Sequence, residues 1–285
     1  MELRRCDTPD GLLELAGSFL AAREAEHNLL FGILGSLRRN PEEFGEDEPY
    51  LAVLLDEGAV AGVVLRTPPF GPVLSMQERL AGVDLVADDL MTITPALAGV
   101  LGPRAAAARF AHRWSARTGV SARLAVEERI YRATAVTQPG AVPGRARPAE
   151  PRDRAVVLQW LDAFADEALP AEAAHLDAVA WLDRRLADPD GDVLLWEDAG
   201  APVSLAAAGQ ATPNGLRVGP VYTPPEHRGR GYGSAVTAAV TARAFASGRR
   251  FCFLFTNLAN PTSNAIYQWI GYRPVCDVDQ WALTA

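Results

Sequence analysis

The segment Val218-Gly-Pro-Val-Tyr-Thr-Pro-Pro-Glu-His-Arg-Gly-Arg-Gly-Tyr-Gly233 places a strand, a short rigid loop and three alternating glycines directly before a long Ala-rich helix. A strand that feeds a helix through such a turn belongs to an α/β architecture. Gly229, Gly231 and Gly233 keep the turn bare of side chains, so a ligand can approach the backbone closely. The first N–H groups of the following helix have no partner within the helix and point outward, with the positive end of its dipole behind them. Such a place binds phosphate or diphosphate, and Arg228 and Arg230 add charge-assisted donors. A turn that merely starts a helix would not need three alternate glycines and two arginines. The spacing is not the dinucleotide fingerprint, because Ser234 stands where that motif has its third glycine.

The rest of the C-terminal half fits this reading. Val156, Val157, Trp160, Leu161 and Phe164 recur at helical spacing after Asp153, and a second helix is expected from Ala171 to Leu186. Val193 to Trp196 and Val203 to Ala208 read as strands joined at Asp198-Ala199-Gly200, and Asn214-Gly215 leads into a strand from Leu216 to Tyr222. Phe251-Cys-Phe-Leu-Phe255 is apolar at every position, as a strand buried on both faces should be. A short helix from Thr262 to Trp269, stopped by Gly271, and a strand from Tyr272 to Val278 follow.

The stretch Gln138-Pro-Gly-Ala-Val-Pro-Gly144, extended by Pro148 and Pro151, reads as a seam between halves of similar size, 1–140 and 144–285. Each half is large enough for its own core. In the first half, helices are expected near Pro9 to Leu20, Arg23 to Leu37 and Ala105 to Arg117, the last ending at Gly119. A hairpin of Leu51 to Leu55 with Val60 to Leu65, and strands between Ala122 and Val136, complete the order. The runs VLLDEGAVAGVVL and VLLWEDAGAPVSL share an apolar strand, acidic turn and apolar strand, a hint of repetition.

Composition removes several classes of function. The 285 residues contain no lysine, so a Walker-type phosphate loop and Schiff-base chemistry are excluded. A net charge of -8 offers no broad basic field for nucleic acid. Cys6, Cys252 and Cys276 lie far apart, and His27, His112, His175 and His227 form no ligand cluster, so no metal is expected. Apolar runs are much shorter than a membrane span, and no leader segment is evident, so a soluble cytoplasmic protein with no membrane partner is the expectation. Its oligomeric state is not read from sequence.

Arg228-Gly-Arg-Gly-Tyr-Gly233 fits R/Q-x-x-G-x-G/A after a strand, and Asn260, Tyr267 and Gly271-Tyr272 follow in order around the next strand and helix. In these two motifs, residues 144–285 resemble the GNAT acetyltransferases, which use acetyl-CoA. The resemblance implies an α/β (α+β) fold with a mixed, mostly antiparallel central sheet flanked by helices. Two such units in tandem are expected, the first degenerate. It implies that Val221, Tyr222 and Thr223 offer backbone groups to the pantetheine arm. Arg228, Gly229, Arg230, Gly231, Tyr232, Gly233 and Ser234 would hold the diphosphate, and Asn260, with Asn264, the CoA arm. Tyr267 would protonate the departing thiolate; otherwise it is a core aromatic.

The expected activity is transfer of acetyl from acetyl-CoA to a primary amine, on a small molecule or peptide, by direct attack in a ternary complex. The alternatives are a noncatalytic acyl-CoA sensor or scaffold, or an acyltransferase for longer chains. Glu197 and Glu226 are the carboxylates considered as base, each also readable as a solvated turn residue, and no base is assigned. His227, beside Arg228, reads as surface. In the first half, Gly99-Val-Leu-Gly102-Pro103-Arg104 is taken as the counterpart of the glycine loop, and Pro103, lacking an N–H, suggests lost cofactor binding.

Overall fold

The computed structural model describes residues 1–45, 47–168 and 177–284, and in it the chain runs twice through one order of elements. The first pass is β1 (Glu2–Arg5), α1 (Pro9–Ala22), α2 (Asn28–Arg39), β2 (Tyr50–Asp56), β3 (Ala59–Arg66), β4 (Val73–Leu74), α3 (Ala81–Met91), β5 (Gly99–Pro103), α4 (Arg104–Thr118) and β6 (Ser121–Ala133). The second is β7 (Arg145–Pro148), α5 (Arg154–Ala168), α6 (Ala178–Ala187), β8 (Asp192–Asp198), β9 (Ala201–Gly209), β10 (Gly215–Tyr222), α7 (Tyr232–Ala246), β11 (Phe251–Asn257), α8 (Pro261–Trp269) and β12 (Arg273–Thr284). The fold is mixed α/β with mostly antiparallel pairing. The expected start of α6 at Ala171, and His175, lie outside the described residues.

Two compact units divide these elements. The first comprises Met1–Ile130, Phe255–Pro261 and Pro274–Ala285, and the second Tyr131–Leu254 and Thr262–Arg273. In the first unit the strands β1, β2, β3, β4, β5 and β12 are neighbours in that order. All pair antiparallel except β4 with β5, which run parallel at Val73↔Leu101. Strand β2 is buried on both faces because its residues alternate sides. Leu51, Val53 and Leu55 pack with α1 and α2, while Tyr50, Ala52 and Leu54 pack with Val83, Val86 and Leu90 of α3 and Phe110 and Trp114 of α4. Helix α1 starts on the Thr8 hydroxyl, which accepts from the Gly11 N–H at 3.1 Å. Helix α4 stops where Gly119 turns left-handed at φ 79°.

The second unit repeats the pattern. Strands β7, β8, β9 and β10 pair antiparallel, and β10 pairs parallel with β11. Val193 and Leu195 of β8 face α5 and α6, where Trp160, Leu161 and Leu182 cover them. Leu194 faces the other side, with Val236 and Val240 of α7 and Tyr267 of α8. Within the Pro/Gly stretch the Pro143 carbonyl accepts from the Trp196 indole N–H at 2.7 Å, and residues 145–148 pair with β8.

The repeated order corrects one sequence expectation. Helix α3 lies between β4 and β5 as α7 lies between β10 and β11. The counterpart of the glycine loop is therefore Ser75–Leu80, before α3, and not Gly99–Arg104, which leads from β5 into α4. Helix α3 and the short strand β4 went unread in the sequence, and with them this correspondence. There the chain reads Gln77-Glu-Arg-Leu80-Ala-Gly82, with Leu80 where the signature has its first glycine. The strand end just before it is also occupied: the Met76 N–H donates to His27 Nε2 at 3.1 Å. His27, 1% exposed, donates from Nδ1 to the Leu20 carbonyl at 3.0 Å, and burial holds its pKa below the ordinary histidine value.

Candidate active site

Two features of β10 shape the loop end of the second unit. Its parallel ladder with β11 runs from Gly215↔Phe251 to Arg217↔Phe253 and ends there. Its antiparallel register with β9 shifts between Val218↔Ala208 and Val221↔Ala206, so three steps on β10 match two on β9. Such a bulge bends the strand and interrupts its pairing. Pro220, inside the bulge, has no N–H to pair. Val221 and Thr223 are half-buried and Tyr222 is buried under Trp160, their rings 6.4 Å apart.

The loop then delivers a row of free amides. The N–H groups of His227 and Arg228 close a 3₁₀ turn on the carbonyls of Pro224 and Pro225. The first bond of α7 is Ala235 N–H to the Gly231 carbonyl at 3.0 Å. Between these points the six amides from Gly229 to Ser234 have no acceptor among the described residues. Gly229 and Gly231 stand at φ 77° and 83°, left-handed values that side chains rarely adopt. A methyl at Gly231 would also lie 3.1 Å from Val142, and one at Gly233 3.2 Å from the Thr223 hydroxyl. The surface is bare because the backbone conformation and its neighbours exclude anything larger.

Side chains brace this loop from outside. The Arg228 guanidinium donates from Nε to the Thr223 carbonyl at 2.8 Å and from Nη2 to Glu167 at 2.7 and 3.1 Å. It also lies 5.7 Å from the Tyr222 ring centre, and the Tyr222 hydroxyl donates to the same Glu167 at 3.2 Å. Arg228 thus fixes the strand end, and Arg230 remains exposed beside the Tyr232 phenol. Tyr232 donates to Asp198 at 2.5 Å, and Thr223 shares a 2.8 Å hydroxyl contact with Ser204.

On α8, Tyr267 is 9% exposed and its phenol pKa is pushed up to about 12 by burial, partly offset by a hydrogen bond from Ser263. It stays protonated at neutral pH. Asn264, one turn earlier, accepts from the Tyr131 hydroxyl at 3.0 Å through Oδ1. Gln268 donates to the same hydroxyl at 3.3 Å and to the Asn264 carbonyl at 3.1 Å. Sequence reasoning missed Tyr131: it lies on β6, 133 residues before Asn264, and nothing local marks it. Asn260 is exposed just before α8, its N–H donating to the Asn257 carbonyl at 3.0 Å.

Of the carboxylates considered as base, Glu197 is bound to Arg147 at 2.5 Å, and this pairing holds its pKa below the ordinary value. Arg147 also clamps Asp153 at 2.6 and 2.9 Å. Glu197 therefore anchors β7 to β8 instead of standing free. Glu226 is exposed. His227, expected at the surface, is half-buried, its ring 6.4 Å from that of Tyr232 and edge-on. Its Nδ1 is enclosed without a hydrogen-bond partner among the described residues.

Burial pushes the thiols of Cys252 and Cys276 up to about 12 and raises that of Cys6, so none is a thiolate at neutral pH. Among the described residues no group of three or more His, Cys, Asp or Glu side chains could hold a metal, and no helix is long and apolar enough to cross a membrane.

Residues 155–272 match the acetyltransferase (GNAT) family. No curated protein matches. Among solved structures, a Drosophila protein is 15% identical and covers 99% of this chain and 98% of its own, at a TM-score of 0.70. A GCN5-related N-acetyltransferase from Sphaerobacter thermophilus is 19% identical over 99% and 95%, at 0.59. A tandem GNAT protein from the clavulanic acid biosynthesis pathway is 13% identical over 100% and 98%, at 0.56. At such identities these likenesses speak for the fold. The family match itself spans residues 155–272, which take in β10, the amide row and α8, so that stretch is a GNAT acetyltransferase domain, a fold that supports acyl-CoA-dependent acetyl transfer.

Proposed function

We propose that the second unit moves acetyl from acetyl-CoA to a primary amine by direct attack, with the diphosphate of CoA held by the amides of Gly229 to Ser234. The observation that carries this is the uninterrupted row of six amides without acceptors at the start of α7. Converging N–H dipoles at a helix start are a ready anion site, and a net charge of -8 supplies no broad positive field that could replace it. Val221 and Thr223, beyond the point where the β10–β11 ladder ends, offer backbone groups to the pantetheine arm, which can lie along the strand as an added edge.

The chemistry follows from proton positions. A neutral amine attacks the thioester carbonyl carbon, the C–N bond forms, the C–S bond breaks, and the electron pair leaves on sulfur. Tyr267 gives its phenolic proton to that sulfur, and the proton released by the new amide nitrogen restores the phenol. A phenol at about 12 is a weaker acid than a free thiol, ordinarily near 8.5, so the transfer is favourable only while charge builds on sulfur out of water. The raised thiols of Cys6, Cys252 and Cys276 favour direct attack over an acyl-cysteine.

Calorimetry with acetyl-CoA, followed by a thiol-release assay over a panel of primary amines, tests the reading. Binding with amine-dependent thiol release supports it. Binding with no release for any amine favours the sensor alternative, and absence of binding removes the proposal.

A further inference from the structure

Helix α8 is held in place by very little. Of its nine residues Tyr267 alone is buried, and a helix this short is marginal unless something outside it holds it. Just past its C-terminal end the Ile270 carbonyl accepts from the Thr137 N–H at 2.9 Å. Within the helix, Asn264 and Gln268, one turn apart, both meet the hydroxyl of Tyr131. All these groups belong to the second unit.

Tyr131 lies on β6, 1% exposed, in the same core as Tyr267, Ile270 and Tyr272. The direction of its contacts follows from the donors present. Gln268 Nε2 can only donate to the phenol oxygen, at 3.3 Å, so the phenol proton goes to Asn264 Oδ1 at 3.0 Å. The other Gln268 N–H returns to the Asn264 carbonyl at 3.1 Å and closes the ring of contacts. Tyr267 stands between the two residues so tied. With Thr137 pinning the end, a tie at residues 264 and 268 fixes the rotation of α8 about its axis, and with it the place of the Tyr267 oxygen.

We propose that Tyr131 is a positioning residue for acetyl transfer: its hydroxyl, through Asn264 and Gln268, holds Tyr267 where its proton reaches the departing sulfur. This role rests on the reading of Tyr267 as general acid, and deepens it by naming the group that aims the acid. A catalytic side chain works only when its own supports lock it, and a displacement of about 1 Å can cost about 10²-fold in rate. Phenylalanine at 131 would keep the ring in the core and remove only the tie. Asn264 is half-buried and Gln268 exposed, so water can take over their hydrogen bonds, and the loss falls on aim more than on stability. The amides from Gly229 to Ser234 belong to another helix start and keep their place.

Steady-state thiol release from acetyl-CoA, with the fastest amine of the panel, and calorimetry with acetyl-CoA separate these effects. Tyr131→Phe should lower kcat about tenfold and leave the Kd for acetyl-CoA within about twofold. In a Tyr267→Phe background the same change should cost less than about twofold more, because no proton remains to be aimed. Gln268→Met, at an exposed position, should lower kcat about threefold with the same pattern. It carries the test if melting curves show that Tyr131→Phe does not fold. A purely structural role would lower the melting temperature and leave the kcat of folded protein unchanged. Unchanged kcat in the folded variants, losses that multiply with that of Tyr267→Phe, or a weaker Kd at unchanged kcat overturns the proposal. Full turnover of Tyr267→Phe alone is a different pattern: it removes the general-acid reading, and the positioning role falls with it.

Discussion

Replacing Gly231 by alanine probes the amide row at its most constrained point. Gly231 caps α7 at φ 83°, ψ 0°, and carries the carbonyl that receives the first helical bond. An L-residue there costs about 1–2 kcal/mol. The added methyl meets Val142 at 3.1 Å, a contact that requires a shift of a few tenths of an ångström. In the free protein the exposed loop can relax by rotating its peptides, which turns the amides of Gly231 and Tyr232 away from their common focus. Binding a diphosphate must restore them, so up to the full strain appears as lost affinity, about 5- to 30-fold in Kd for acetyl-CoA.

Gly248→Ala supplies the matched comparison. That glycine stands at φ 95° beyond the other end of α7 with nothing within 4 Å of a new methyl. It pays the same kind of backbone cost far along the helix from the loop. Gly248→Ala should melt a few degrees lower with unchanged affinity, whereas Gly231→Ala, to the extent that its loop relaxes, should keep its melting temperature and bind acetyl-CoA more weakly by calorimetry. A folded Gly231→Ala protein with unchanged affinity would refute the reasoning, since the amides would then not be the grip.

Tyr267→Phe should lower turnover by about 10²-fold, the lower end of general-acid effects, because a phenol at about 12 is a reluctant donor; acetyl-CoA affinity should stay within twofold, read by the same calorimetry. The stability that the buried neutral phenol contributes is present below about pH 10, the unfolded value, and lost as pH rises through about 12, so this variant should resist alkaline unfolding better than the parent in urea titrations. Arg147→Met leaves Asp153 and Glu197 without the cation that holds both pKa values down. Depressed carboxylates stabilise above their unfolded values and cease to do so as pH falls through their folded ones, so the gap in melting temperature between variant and parent should be wide at pH 7 and close toward pH 3.

Much of the second unit was legible because its signals are local. The glycines before α7 follow from backbone geometry, Asn214-Gly215 marks a turn, and Phe251 to Phe255 reads as a buried strand without any knowledge of its neighbours. The first unit was harder. Strand β4 is two residues long and carries no periodicity, although the buried Val83, Val86, Ala87 and Leu90 of α3 do follow helical spacing. Without those elements the glycine-loop counterpart was set against Gly99–Arg104, one strand too late.

The sequence by itself determined where the backbone could be bare and left-handed, and hence where an anion could sit, because those properties belong to glycine and to the start of a helix. Only the tertiary structure decided what the polar side chains do. It turned Arg228 toward Glu167 and Thr223, bound Glu197 to Arg147 and set Tyr131 on Asn264. A side chain's role depends on partners tens of residues away, and the chain brings those together only when its apolar faces are buried.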